Sequence, residues 1–536
     1  MSNLVTNCPT EITSRLPQAT TIIFKTLFGV LAVTALSTLR WKMVLDPPLM
    51  HYVAWLIDKQ GQVPYRDIYD FNMPGAYLFH LLIGHLCGYG NLGFHIFDLL
   101  WSGSMLALVF VLMRPFGKKC ALLAVLIIGF HYFRSGLNMT LQRDWFLLLP
   151  IELGVWITVD HKFKPVVRAL AVGFLFGLAA TVKPNAALAL GPVFFFELSA
   201  QPFGEKGKFM TLAGRIIKVS LGYALGLAFS ISLVLSWVWV KGGWDAFVDM
   251  VLHYLPLYRQ VDFHDWFSTG RGMIWSWVWL VILTGSPALK LCGLWGFAVY
   301  YFSPALEKSH AEKRRALLFL ALAITFVLYT ALMQKFWDYH WMPAMLFFSM
   351  SAALVLPVLN QVKVSGWRRL ADILPVLAFV FGAAFLCLFS VFRTPFNQVM
   401  VEELTQYLST QTQSDDLVQP LDCAGGAVQS LLQSHRAMAT PFLYDFYFYH
   451  HVSNPYIKHL RVTFLNHLRQ ARPKVIIQVL QRSWPTGPDA GRAFRGLKQF
   501  LAQNYEPVME KPDFIIYQRK DADKNNKDLI ASAIIE

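Results

Sequence analysis

Charge is scarce in this chain. Only 15% of its 536 residues are Asp, Glu, Lys or Arg, whereas a soluble globular protein carries roughly 25%. That scarcity excludes an ordinary water-soluble enzyme, and with it a disordered chain or a coiled coil. Cysteine is scarce as well. The six (Cys8, Cys87, Cys120, Cys292, Cys387 and Cys423) form no CxxC pair and no metal-ligand spacing. Four of them lie in apolar runs, where a thiol behaves as a small hydrophobe, so a disulfide scaffold is not expected. The first apolar run, which follows a polar stretch ending near Thr20, has no Ala-x-Ala cleavage signal, so it is expected to stay as a span. Internal repeats and low-complexity segments are also lacking. What the chain has is apolar bulk: 55% hydrophobic residues, including 43 Phe, 20 Tyr and 17 Trp, and a mean hydropathy of +0.43. These values define an α-helical polytopic membrane protein.

A membrane span takes about 20 predominantly apolar residues. Candidate spans run over 20–41, 74–113, 119–136, 145–159, 166–182, 185–200, 217–240, 273–306, 316–333, 342–359 and 370–392, which predicts about 11–13 transmembrane helices. The stretch 74–113 is twice the needed length and is expected to break near Gly88-Tyr89-Gly90, leaving 77–88 as a partial helix. Residues 1–392 then form the membrane module and 393–536 a soluble α/β domain with 16 Lys+Arg and 14 Asp+Glu. Within that domain Lys474–Leu480 reads as a buried strand, Arg492–Asn504 as a helix and Phe514–Tyr517 as a closing strand.

The net charge of +14 is distributed unevenly. Five loops (Arg114–Lys119, Lys162–Arg168, Lys206–Lys218, Lys308–Arg315 and Lys363–Arg369) hold 17 of the 31 basic residues before position 393. The positive-inside rule places them in the cytoplasm, so the excess charge is an orientation signal rather than a nucleic-acid surface. The connections 42–73, 137–144, 241–272 and 334–341 then face outward together with the C-terminal domain.

The outward connections carry the residue types of a reaction site. Asp46 directly follows the first span, where Pro47 and Pro48 are expected to end the helix. A carboxylate at a membrane edge is a functional candidate. Gly61-Gln-Val-Pro-Tyr-Arg-Asp67 and Asp70-Phe-Asn-Met-Pro-Gly-Ala-Tyr77 complete the first loop, 42–73, and open the next helix. Gln142-Arg143-Asp144-Trp145 puts an Arg and an acid at the head of a span. Lys183-Pro184-Asn185 interrupts an apolar run, and Lys335-Phe-Trp-Asp338-Tyr339-His340-Trp341 sets a Lys and a His among aromatics. Each has a plainer alternative. Lys183 and Lys335 could snorkel, the tryptophans could form an interfacial belt, and His340 could be a buried structural imidazole. Asp144 either pairs with Arg143 or binds a divalent ion. A metal site from His253, His264 and Asp265 matches no known ligand spacing.

A span, an Asp, a Gly-x-x-Pro-Tyr-Arg-Asp and an Asn-x-Pro-Gly-x-Tyr in this order resemble the GT-C superfamily of integral-membrane glycosyltransferases. The bacterial branch similar to dolichyl-phosphate-mannose-protein mannosyltransferases and lipid A aminoarabinose transferases is nearest in character. The resemblance implies an inverting transfer of a sugar from a polyprenyl-phosphate donor to a glycan, lipid or protein acceptor on the outer, periplasmic face of the cytoplasmic (inner) membrane. It implies Asp46 as the catalytic base. Many members carry a second acid directly after it; Pro47 stands there instead, so Asp67, Asp70 or Asp144 would have to supply one. Arg143, Lys183, Lys335, His340, Tyr65 and Arg66 are the candidates for holding the donor's phosphate and sugar. Some members need a divalent cation and others do not. A lipid-diphosphate-dependent polymerase or ligase and a non-enzymatic transporter or flippase are the competing readings, and no nucleic-acid partner is expected.

Overall fold

The computed structural model describes residues 10–160, 163–199, 208–261, 278–279, 281–304, 306–333, 335–361, 366–423, 425–480, 488–491 and 493–520. It is 73% helical, and the chain is a multi-pass membrane protein. Among the described residues, seven helices are long and apolar enough to cross a bilayer on their own: Thr21–Arg40, Asn91–Phe116, Pro165–Val182, Ala213–Val240, His310–Met333, Asp338–Leu359 and Ala371–Ser390. Other apolar runs form shorter helices, including Leu148–Asp160 and Leu190–Leu198. Burial grades from the centre outward. Asp338–Leu359 is 83% buried over its apolar window, whereas Thr21–Arg40 is only 22% buried, and its exposed side chains are the surface that lipid would cover.

The long stretch 74–113 divides as its glycines suggest. Pro74–Cys87 is a 14-residue helix, about 21 Å long and short of a roughly 30 Å hydrocarbon core. Gly88 then turns the chain with φ +80° before Asn91–Met113 begins. Elsewhere close helix approach is set by paired small residues. On Pro165–Val182 a Cβ at Gly173 would lie 2.4 Å from the Tyr223 carbonyl oxygen, and one at Gly226 on Lys208–Val240 would lie 2.2 Å from that of Leu170. Four-residue glycine spacing on both helices lets their backbones touch, and packing of this kind replaces the hydrophobic drive that lipid removes.

Two clusters mark the two ends of the bundle. At one end Arg168 pairs with Glu197, while Arg215 and Arg314 donate to the carbonyl oxygens of Glu197 and Phe196 and Arg315 to that of Val159. This is the end of the basic connections. At the other end Asp46, Arg143, Asp144, Lys183 and His340 come together.

The C-terminal part carries a four-stranded sheet ordered β1-β2-β4-β3, with β1 Val418–Leu421, β2 Val475–Val479, β3 Tyr505–Glu510 and β4 Phe514–Arg519. β1 and β2 are parallel and the other pairs antiparallel. Pro420 is tolerated because β1 is an edge strand. The unit docks on the first loop. Tyr69 N donates to Pro441 O (2.7 Å), Gln429 Nε2 to Met43 O (2.8 Å) and Tyr52 Oη to Arg436 O (2.8 Å).

Candidate active site

The first-loop carboxylate owes its position to an unusual backbone turn. Leu45 has φ +63° and ψ −126°, a conformation that a bulky side chain seldom adopts. It aims Asp46 into the first turn of the helix Asp46–Lys59. Pro47 and Pro48 therefore open this second helix rather than close the first span, which has already ended near Arg40. Proline suits that place because the first-turn N–H groups have no intrahelical acceptor. The carboxylate thus lies at the positive end of the helix dipole.

Arg143 reaches Asp46 from the start of the short helix Arg143–Phe146, with Nη2 2.7 Å from Oδ2. Its other terminal nitrogen donates to the side-chain oxygen of Asn72. Asn72 in turn donates to both oxygens of Asp70, at 3.1 and 2.9 Å, and Tyr77 Oη donates to Asp70 at 2.7 Å. Burial raises the Asp70 pKa, while Asn72, Tyr77, the Phe71 N–H and the nearby Arg143 pull it down. Asp70 thus acts on Asp46 at second hand, holding Asn72, which holds Arg143. The Asp46 carboxylate keeps 25% of its surface exposed, and Arg143 Nε is buried with no hydrogen-bond partner. An unpartnered charged donor in an otherwise satisfied cluster is suited to a ligand oxygen.

A second set closes beneath the first. Asp144 is fully buried. Lys183 Nζ lies 2.5 Å from its Oδ2 and His340 Nδ1 2.9 Å, and Tyr329 donates to its Oδ1. Lys183 Nζ and His340 Nδ1 are 3.0 Å apart, so the imidazole nitrogen either donates to the carboxylate or accepts from the ammonium. Of the two partners weighed for Asp144, Arg143 goes to Asp46, and both Asp144 oxygens are filled by protein donors. Tyr339 lies against this set, with its ring centre 5.4 Å from Lys183 Nζ.

Of the remaining candidates, Tyr65 backs this group through Asn72, while Arg66, Asp67 and Lys335 make other contacts. Tyr65, with φ +69°, is buried and donates from Oη to Asn72 O at 2.7 Å, so it orders the loop. Arg66 forms a two-pronged pair with Asp67 near the surface, and that guanidinium holds Asp67 below the usual carboxylate pKa. Lys335 donates to the Val261 carbonyl oxygen and lies 4.9 Å from the ring centre of Tyr258. Tyr258 belongs to an aromatic layer over the site: its ring centre is 4.2 Å from that of Phe71, and Phe71 also meets Tyr444 and Phe446 of the C-terminal unit. His264 and Asp265 lie outside the described residues, and among the described residues no three His, Cys, Asp or Glu side chains converge as a metal site.

Asn72, Tyr77, Tyr329 and Tyr444 were not among the sequence-based candidates, whereas Tyr258 lies in the 241–272 connection, which from the sequence could cap the site or shape the acceptor groove. Asn72 and Tyr77 had a signal, being the polar members of Asn-x-Pro-Gly-x-Tyr. Tyr329 had only its hydroxyl within an apolar run.

No family model matches the sequence and no curated protein matches it. Its fold, however, is similar to that of solved structures. ArnT from Cupriavidus metallidurans bound to undecaprenyl phosphate aligns over 93% of this chain and 98% of its own, with a TM-score of 0.59 and 11% identity. The apo state of that protein aligns over the same shares with a TM-score of 0.54, also at 11% identity. The arabinofuranosyltransferase AftD from Mycobacteria aligns over 93% of this chain and 40% of its own, with a TM-score of 0.44 and 13% identity. At these identities the likeness is one of fold.

Proposed function

We propose that the protein is an inverting glycosyltransferase that moves a sugar from a polyprenyl phosphate to an acceptor hydroxyl, at the extracytoplasmic face of the cytoplasmic membrane. The observation that carries this reading is the partly exposed Asp46 carboxylate at a helix N-terminus, 2.7 Å from an Arg143 whose Nε is buried and unpartnered. The shared fold with an undecaprenyl-phosphate-bound ArnT supports the choice of donor. The basic residues at the far end of the bundle support the orientation.

In this mechanism the acceptor oxygen attacks the anomeric carbon while Asp46 takes its proton. The bond from that carbon to the phosphate oxygen breaks, and the lipid phosphate leaves with the electron pair. Arg143 meets the developing charge, and Lys183, steadied by Asp144, adds a second positive centre behind it. Asp70 and Asn72 hold Arg143 in place, while Tyr258 and Tyr444 cover the reacting atoms.

The test is transfer of a labelled sugar from a polyprenyl-phosphate sugar by the full-length protein in liposomes. Asp46→Asn should lower the rate by about 10²–10⁴-fold, the range of a lost general base, in protein shown by a cooperative thermal transition in detergent to be folded. A rate near wild type would overturn the assignment.

A further inference from the structure

A cavity of about 470 Å³ opens beside the site. It is lined by Leu45, next to Asp46 in the chain, and by Tyr339. Part of its lining is polar: His131, Arg134, Ser135, Asn138, Ser286 and Arg393.

Two guanidiniums face this space, and among the described residues neither pairs with a carboxylate. Arg134 is held in place by its Nη2, which lies 3.1 Å from both His131 Nδ1 and Ser286 Oγ, and its guanidinium lies 5.2 Å from the ring centre of Phe379. Its Nε is buried without a partner. Arg393 follows the last span and makes one long contact, from Nη1 to Ser135 O at 3.5 Å. It rests over Gly136, where a Cβ would meet Nη1 at 2.7 Å and where φ is +77°. Asp338 is the carboxylate of the lining, and it sits at the exposed rim. Met139, Trp337 and Leu386 supply apolar lining, and Leu386 belongs to the helix Gly366–Ser390, whose Phe385 and Phe389 are exposed. Two ready cations at the end of an apolar wall suit a headgroup whose tail stays in the bilayer.

We infer that this cavity holds the anionic headgroup, phosphate or carboxylate, of an amphiphilic acceptor, presenting the acceptor's hydroxyl to Asp46. The inference rests on the transferase reading above and adds to it the chemical class of the acceptor. The donor phosphate goes to Arg143 and Lys183, and the acceptor's anion goes to Arg134 and Arg393.

Binding to the full-length protein in nanodiscs of zwitterionic lipid tests this with separate probes: dioctanoyl phosphatidic acid, dioctanoyl phosphatidylcholine, inorganic phosphate and undecaprenyl phosphate. Phosphatidic acid should bind and phosphatidylcholine should not, and millimolar inorganic phosphate should fail to displace the lipid. Arg393→Glu, at an exposed position, should weaken phosphatidic acid binding about tenfold or more, equivalent to about 1.4 kcal/mol. Arg134→Gln, confirmed folded by thermal unfolding, should do the same. Both variants should leave undecaprenyl phosphate binding within about twofold.

Unchanged phosphatidic acid affinity in both variants would overturn the inference. An equal loss of undecaprenyl phosphate would overturn it too, by making the cavity the donor's phosphate site, and displacement by inorganic phosphate would make it a free-anion site. A wild-type protein that ignores undecaprenyl phosphate but binds phosphatidic acid through these arginines would sink the donor reading while leaving this cavity's ligand class intact.

Discussion

At the scale of single residues, the pair most exposed to mutational insult is Asp144 and Lys183. Lys183 keeps only 10% of its side-chain surface accessible and Asp144 none. Removing one partner of a buried pair leaves the other charge uncompensated, which costs about 3–5 kcal/mol. Asp144→Asn is therefore expected to lower stability by that order in detergent unfolding and to reduce transfer, because His340 and Tyr329 lose the same anchor. Adding Lys183→Met should recover a large part of the stability and none of the activity. Recovery of both would show that Lys183 has no part in the reaction. The charged residues of the site could be read from the chain because charge is rare there, and Asp46, Arg143, Asp144, Lys183 and His340 each stood out against apolar neighbours. Their pairing could not be read. Asp144 adjoins Arg143 in sequence, yet successive residues on a helix point about 100° apart, so Arg143 turns to Asp46 and Asp144 to Lys183. Tyrosines were poor signals for a different reason: an aromatic ring fits membrane interior, interface and site alike.

At the scale of elements, Gly75 joins the first-loop motif to the Lys183 turn. The helix Pro74–Cys87 crosses the end of Pro165–Val182 so closely that a Cβ at Gly75 would lie 2.4 Å from Thr181 Oγ1 and 2.7 Å from the Thr181 carbonyl carbon and oxygen. Backbone cannot yield as a flexible side chain can. Gly75→Ala should therefore push the Thr181–Lys183 segment off its position, at a cost of about 1–3 kcal/mol. Since Lys183 begins two residues later, transfer should fall more than tenfold while the protein still folds; wild-type activity would mean that the two helices separate without disturbing Lys183. Helices were legible where apolar runs were long and unbroken, and the break at Gly88 was legible from its glycines. Short elements were harder. β1 carries a proline and only four residues, and β3 alternates poorly because most of its side chains face water. Neither shows the period that marks a half-buried strand.

At the scale of the whole molecule, the C-terminal unit completes the roof of the site, and a histidine ties the two together. Tyr254 Oη and His450 Nε2 are 3.1 Å apart, joining the connection after Val240 to the C-terminal unit. Tyr69 extends the seam through Tyr447, which donates to Tyr69 O at 3.2 Å. Burial, with help from His451 and Lys335, lowers the His450 pKa to about 3 from an ordinary 6.5. The unfolded imidazole thus takes up a proton near pH 6.5, while the docked one resists until about 3. The contribution of His450 to docking is complete above pH 6.5 and declines as pH falls toward 3. Asp445 works in the opposite sense, since burial beside Asp422 raises its pKa and favours its docked form at low pH. The two effects separate by substitution. In hydrogen exchange of the segments around Tyr254 and His450, acidification from pH 7.5 to 4.5 should speed exchange more in wild type than in His450→Gln, which keeps a neutral acceptor for Tyr254. Equal acid sensitivity in both proteins would show that His450 does not govern the seam. With the roof loosened, Tyr444 and Phe446 would no longer cover Asp46, so the acid loss of transfer should also be smaller in His450→Gln than in wild type.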